Sequence, residues 1–135
     1  MALDIVLTIN GQAPKHNPET SISFEGGAAD YWYLWPTMIS EINNKTGELI
    51  DLYDNAEFSG DNLDKVERIV LHQLEELRKK KDKEWSVHTG TELQPIKKEI
   101  YRTLIKKDLE NKLQHLLTIV RQARQTNEKV ICIGD

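Results

Sequence analysis

The sequence has few residues that could cross-link the chain, few that would break its helices and strands, and no long apolar run that could anchor it in a membrane. A single cysteine, Cys132, allows no internal disulfide, and four prolines and seven glycines in 135 residues leave long stretches free to form regular structure. The apolar runs are only a few residues long, far short of the ~20 that a spanning helix needs. Residues 1–4 show no basic segment followed by an apolar block, which a secretory signal would have. We therefore expect one globular α+β domain over residues 1–135, in a reducing cytoplasm and with no membrane partner.

Charge is unevenly distributed along the chain. The net charge is −4, but residues 1–64 hold 11 acids and two bases, which gives this part a charge of −9 and leaves +5 for residues 65–135. Such asymmetry bears on partners rather than on the fold. The acidic part would suit a basic protein. The basic part is interrupted by acids and has no aromatic residues between its lysines, so we do not expect it to bind nucleic acid.

Apolar periodicity predicts an α+β fold in which a mixed, mostly antiparallel sheet of about five strands packs with three helices. Strands are predicted at residues 3–9, 21–24, 49–53, 85–88 and 130–133, the last apolar enough to be buried on both faces. Helices are predicted at about 30–45, 61–77 and 108–125. Residues 96–105 fit either a strand paired with 85–88 or a helix continuous with the last one. The strand is favoured, because that helix would reach about thirty residues, well above the average of ~12.

Pro36 lies inside the first predicted helix, where it removes a backbone donor and crowds the preceding turn. We expect the regular helix to begin near Trp35, with Pro36 at its first position. The alternative is that the aromatic residues before Pro36 form a separate turn. Gly47 is predicted to end this helix in the left-handed conformation.

The most unusual stretch is residues 24–36, which hold two of the three tryptophans and two of the four tyrosines. Its aromatic cluster is Tyr31, Trp32, Tyr33 and Trp35. Neighbouring residues face different directions in a helix or a strand, so these rings cannot all point inward. They form either a recognition surface, for which Tyr and Trp are preferred anchors, or a boundary region in which the tryptophans pack on the core.

A series of acids follows, of which Asp51, Asp54 and Glu57 are the candidates for function. Their spacing of three matches no calcium loop, which needs ligands at alternating positions and a glycine at the sixth. A solvated acidic face or a docking surface for a basic protein fits them better. His88 precedes a polar loop and could complete a metal site with these acids. No Gly-x-Ser-x-Gly nucleophile motif is present, and Cys132 lies in an apolar strand where thiols are inert.

These patterns favour a non-enzymatic protein-binding module, of the kind represented by small cytoplasmic bacterial immunity or adaptor proteins. Its binding residues would be Tyr31, Trp32, Tyr33, Trp35, Asp51, Asp54 and Glu57, and it would need no cofactor. The aromatic rings would supply contact energy, and the acids would steer a basic partner. Two alternatives remain open: a metal-assisted hydrolase that uses Asp51, Asp54, Glu57 and His88, and a structural subunit whose aromatics are buried in a homodimer.

Overall fold

The computed structural model describes residues 2–15 and 17–134, and its architecture confirms the predicted α+β class. A π-helical turn, Trp35–Ile39, joins α1 to α2. In chain order the elements are β1 (Ala2–Leu7), β2 (Ser21–Glu25), α1 (Ala29–Leu34), α2 (Ser40–Thr46), β3 (Asn55–Phe58), α3 (Asp61–Lys79), β4 (Glu84–Glu92), β5 (Lys98–Ile105), α4 (Lys106–Gln125) and β6 (Val130–Gly134). The six strands within the described ranges form two sheets rather than one, and every pairing among them is antiparallel.

The larger sheet has the strand order β2-β1-β6-β3, so the first and last strands of the chain lie side by side at its centre. Leu3, Ile5 and Leu7 point to one face of β1 and are buried. Asp4 and Val6 point to the opposite face and are partly exposed. This division follows from the alternation in the sequence, because successive side chains of a strand face opposite ways.

The core lies between the buried face of this sheet and the helices. α4 contacts β1, β2 and β6, and α3 packs on α4. Each helix turns an apolar stripe inward, as the spacings of three and four predicted. The buried stripe residues include Leu63, Val66, Val70, Leu74 and Leu77 on α3 and Leu109, Leu113, Leu116 and Val120 on α4. None of the helices in the described part of the chain is long and apolar enough to cross a membrane.

The first helical segment begins at Ala29, before the aromatic cluster, so the prediction that it begins near Trp35 is wrong. In an α-helix, the proline ring would collide with the carbonyl group four residues earlier. The π-turn over Trp35–Ile39 absorbs Pro36 instead: at its end the Ser40 N–H donates to the Trp35 carbonyl, five residues back. The predicted end is confirmed, because Gly47 has a φ of 76° and its N–H donates to the Asn43 carbonyl.

The strand predicted at residues 49–53 is wrong, and the pairing with β6 is made by β3 instead. Ile50 and Leu52 are buried at 4% and 5% exposure, which explains the apolar pattern. Their backbone is nevertheless turned, because the Asp51 side chain accepts the N–H groups of Tyr53 and Asp54. Such local bonds favour turns over strand ladders.

The favoured reading of residues 96–105 is confirmed, because β5 forms a hairpin with β4. The hairpin joins the body at its base, where α1 contacts both strands. There Leu104 is buried and Trp85 is partly buried. Its tip is exposed, with Leu93 at 71% and Ile96 at 74%.

The last strand, β6, is buried on one face only. Val130 and Cys132 point into the core, whereas Ile131 and Ile133 are partly exposed on the other side, so the prediction of burial on both faces is wrong. Burial raises the pKa of the Cys132 thiol to about 12. The thiol therefore stays protonated at neutral pH, as expected for an inert core cysteine.

Candidate functional site

Four of the seven predicted binding residues meet at one surface depression, which we call the aromatic groove: Tyr31, Trp32, Trp35 and Asp51. It encloses about 370 Å³ and is open to solvent. This volume lies within the range of about 300–1,000 Å³ that is usual for ligand sites. The groove is lined by Gly26, Tyr31, Trp32, Trp35, Asp51, Leu52 and Tyr53.

One wall of the groove comes from the first helical segment. Tyr31 and Trp35 are four residues apart, so they lie on the same side of the helix, and their ring centroids are 5.9 Å apart. Trp32 packs edge-on against Tyr31, at 5.2 Å and 84°. Its indole N–H donates to the Gly26 carbonyl at 2.7 Å, which fixes the ring at the turn before the helix. The wall is thus a set of mutually packed rings with a restrained orientation.

The opposite wall comes from the loop between α2 and β3. Asn43 on α2 holds this loop by two hydrogen bonds to the Ile50 backbone: its amide donates to the carbonyl at 3.3 Å, and its oxygen accepts the N–H at 2.8 Å. One Asp51 carboxylate oxygen accepts the N–H groups of Tyr53 and Asp54, each at 2.7 Å. The Asp51 carboxylate and the Tyr53 ring are therefore placed by the turn itself.

The rings differ in how much they show to solvent. Tyr31 is 2% exposed, Trp35 is 37% exposed and Tyr53 is 70% exposed. The pKa of Tyr31 is raised to about 12. Burial is the largest cause, and the nearby Asp51 carboxylate and Tyr53 hydroxyl contribute to the same shift. The Tyr31 phenol is consequently neutral at physiological pH. Asp51 is the only acidic residue among the lining residues, which include no lysine, arginine or histidine.

Tyr33 lies away from the groove. Its ring is 5.3 Å from that of Trp85, and Lys80 places its ammonium 4.5 Å from the Trp85 ring centroid. Burial raises the pKa of the Tyr33 hydroxyl. Tyr33 therefore helps to dock the β4–β5 hairpin on α1, and it lines a different depression together with Pro36 and Glu76.

The two other candidate acids also point elsewhere. The Asp54 carboxylate accepts the Asn55 N–H at 2.8 Å, at the start of β3. Glu57 forms an ion pair with Lys129 beside the partly exposed face of the larger sheet. Of the three acids predicted to act together, only Asp51 lines the groove.

His88 is used within the hairpin. It pairs with Glu99 across the two strands, and its ring is 5.3 Å from that of Tyr101. Within residues 2–15 and 17–134, no three His, Cys, Asp or Glu side chains come together in a way that could hold a metal ion. The geometry therefore gives no support to the four-residue metal site considered from the sequence.

Sequence reasoning missed Tyr53, the most exposed ring of the groove. Part of the signal was present, because an aspartate side chain often bonds the backbone two residues ahead in a turn, and Tyr53 is two residues after Asp51. The sequence also indicated that Tyr33 lies apart from Tyr31 and Trp35, because residues two apart in a helix do not share a face.

No protein-family model matches this chain, and no curated protein or solved structure matches it. Its function is therefore argued from the geometry and charge of the groove.

Proposed function

We propose that this chain is a small cytoplasmic protein-binding module without enzymatic activity, of the bacterial immunity or adaptor kind. Its contact surface is the aromatic groove, and its partner is a protein with a basic surface. The observation that carries the proposal is the convergence of Tyr31, Trp32, Trp35 and Tyr53 on a carboxylate, in a depression that is open to solvent.

The composition of the groove suits a contact surface. Tyr and Trp are enriched among the residues that contribute most to binding between proteins, and they lose little conformational freedom on burial. Trp32 and Tyr31 are already held in place by packing and by the bond to Gly26, so a partner would meet a preorganised wall. Tyr53 is exposed and would become buried in a complex.

The charge around the groove favours a basic partner. Between Lys45 and Lys65 the chain has six acids and no base, and Asp51 lies in the middle of this stretch. An excess of one charge accelerates association with a partner of the opposite sign and disfavours partners of the same sign.

The test compares two exposed tyrosines in the full chain. Tyr53→Ala removes a groove ring, and Tyr101→Ala removes a ring of similar exposure from the hairpin, 70% against 60%. Proteins captured by the tagged wild-type chain from the source cells are identified, purified and titrated against both variants by calorimetry. We expect Tyr53→Ala to weaken binding of the true partner by about tenfold or more, as for residues at the centre of an interface. Tyr101→Ala should bind like the wild type.

Two results would overturn the proposal. One is that every captured protein binds Tyr53→Ala as tightly as Tyr101→Ala. The other is a mass that rises with concentration in sedimentation experiments and falls to that of one chain in Tyr53→Ala. That result would identify a second copy of the chain as the occupant of the groove, in place of a basic partner.

A further inference from the structure

Two aromatic rings outside the groove have a lysine of the chain itself over their faces. The Lys80 ammonium lies 4.5 Å from the Trp85 ring centroid, and the Lys112 ammonium lies 4.6 Å from that of Phe24. Among the described residues, no lysine or arginine takes such a position over a ring of the groove. The electron-rich faces of the exposed Trp35 and Tyr53 rings are thus left for a cation from outside.

The carboxylate of the groove is also unpaired. Several acids on the helices and strands form ion pairs, among them Asp30 with Lys112, Glu57 with Lys129 and Asp64 with Arg124. Within the described ranges, Asp51 has no such ion pair, and the two backbone N–H groups of its own turn donate to the same carboxylate oxygen. The second oxygen is available to a donor that enters the groove.

We infer that the groove seats a basic side chain of the partner protein, and that arginine is preferred to lysine. This inference rests on the proposed function and specifies what the partner presents. A planar guanidinium can stack on a tryptophan or tyrosine ring and donate to a carboxylate at the same time, whereas an ammonium is a compact and more strongly hydrated charge. The groove supplies both elements: rings on the helix side and Asp51 on the loop side.

The groove keeps this character across the physiological pH range. Since the pKa of Tyr31 is raised to about 12, its phenol keeps its proton at neutral pH and adds no second negative charge to the groove. A cation would therefore meet a neutral Tyr31 ring beside the Asp51 carboxylate. The attraction should weaken as salt is added, because the site is open to solvent.

The experiment uses the three indole N–H signals of the full chain in two-dimensional ¹H–¹⁵N NMR spectra. Trp32 and Trp35 line the groove, and Trp85 lies at the hairpin base and serves as an internal control. The probes are N-acetyl-arginine methylamide, its lysine counterpart, and the citrulline counterpart, which has nearly the shape of arginine without its charge. We expect the arginine probe to shift the Trp32 and Trp35 signals saturably, the lysine probe to bind more weakly, and the citrulline probe to leave them unchanged.

Two charge-removing variants form a matched pair. Asp51→Asn and Asp54→Asn each remove one negative charge, and each keeps the side-chain oxygen that accepts backbone N–H groups in this loop. We expect Asp51→Asn to weaken binding of the arginine probe by about fivefold, and Asp54→Asn to change it by less than about twofold, as for a solvent-screened charge. Equal effects of the two variants, or equal binding of arginine and citrulline, would overturn the inference.

The outcomes also separate this inference from the proposed function. If Tyr53→Ala loses a protein partner while the arginine probe leaves Trp32 and Trp35 unchanged, protein binding stands and the arginine assignment fails. If the arginine probe binds and no protein is lost in Tyr53→Ala, the proposed function fails, and with it the assignment of the cation to a partner protein. Binding that is tighter for the lysine probe than for the arginine probe would refute the preference for arginine.

Discussion

Asn43 offers a sharp test of how the groove is built. Its side chain donates to the Ile50 carbonyl at 3.3 Å and accepts the Ile50 N–H at 2.8 Å. Ile50 is only 4% exposed, so water can reach these two backbone groups poorly. Asn43→Ala removes both bonds at once and should release the loop that carries Asp51. Asn44→Ala is the matched control, because the same substitution is then made at an exposed site one residue along α2.

The magnitude follows from the two orphaned groups. A buried backbone group that loses its partner costs about 1–3 kcal/mol. Because the loop can relax toward water, we use the lower part of this range for each of the two Ile50 backbone groups, which gives a total cost of about 2–3 kcal/mol. Replacing asparagine by alanine within a helix returns about 0.6 kcal/mol, and this gain is shared by the control. Asn43→Ala should therefore be less stable than Asn44→Ala by about 2–3 kcal/mol.

The assay is urea unfolding of the wild type and both variants, followed by tryptophan fluorescence. Asn43→Ala should lower the denaturation midpoint without a change in slope, since the surface exposed on unfolding stays the same. Hydrogen exchange at the Ile50 amide should accelerate more than exchange at the helix amides of α4, because the loop opens locally before the core does. A difference below about 0.5 kcal/mol between the variants would refute the reasoning, since substitutions away from structural features have effects of that size.

Two further predictions concern positions outside the groove. A Cβ atom at Gly134 would lie 2.7 Å from backbone atoms of Leu52 and Asp54, so Gly134→Ala should cost about 1–3 kcal/mol in thermal or urea unfolding. Gly27→Ala is the control and should leave stability nearly unchanged, because a Cβ atom there meets nothing within 4 Å. Equal losses of stability in the two variants would contradict the close packing of Gly134 on the backbone of Leu52 and Asp54. The hydrogen bonds that the Glu128 carboxylate accepts from the Thr8 hydroxyl and the Gly11 N–H hold its pKa below the ordinary value of a glutamate. The stabilisation by the Glu128 carboxylate is therefore fully present above the ordinary pKa of a glutamate and is lost as the pH falls through the lowered pKa. The difference in unfolding free energy between wild type and Glu128→Gln should accordingly shrink in acid. A difference that stays constant with pH would contradict this role of Glu128.

Much of the fold was predictable because its signals are local. The alternation of Leu3, Ile5 and Leu7 depends only on the two-residue period of a strand, and the stripes of α3 and α4 depend only on the helical period. The ambiguous segment before α4 was also resolved correctly, since a continuous helix of about thirty residues would have been unusual. One error arose where a side chain competes with the backbone: Asp51 turns a segment whose apolar pattern resembles a strand.

The groove was predictable only in part. Tyr31, Trp32, Trp35 and Asp51 were grouped in one predicted binding surface, and these four residues do line the groove. Tyr33 was grouped with them by adjacency, although the helix carries it to the hairpin side. Glu57 was grouped by spacing, although the strand β3 carries it to the face where Lys129 neutralises it. The types of residue in the sequence identified the candidate binding residues. The orientation of the helix and of β3 decided which of these residues line the groove.

The amino-acid sequence by itself determined the class of the fold, the apolar faces of its helices and strands, and the presence of an aromatic stretch near a series of acids. These properties depend on residues that are close in the chain. Only the tertiary structure decided which of them share a surface. Asp51 and Tyr53 meet Tyr31 because Ile50 and Leu52 are buried in the core and Asn43 holds the loop to α2, and such contacts join segments that no local period relates.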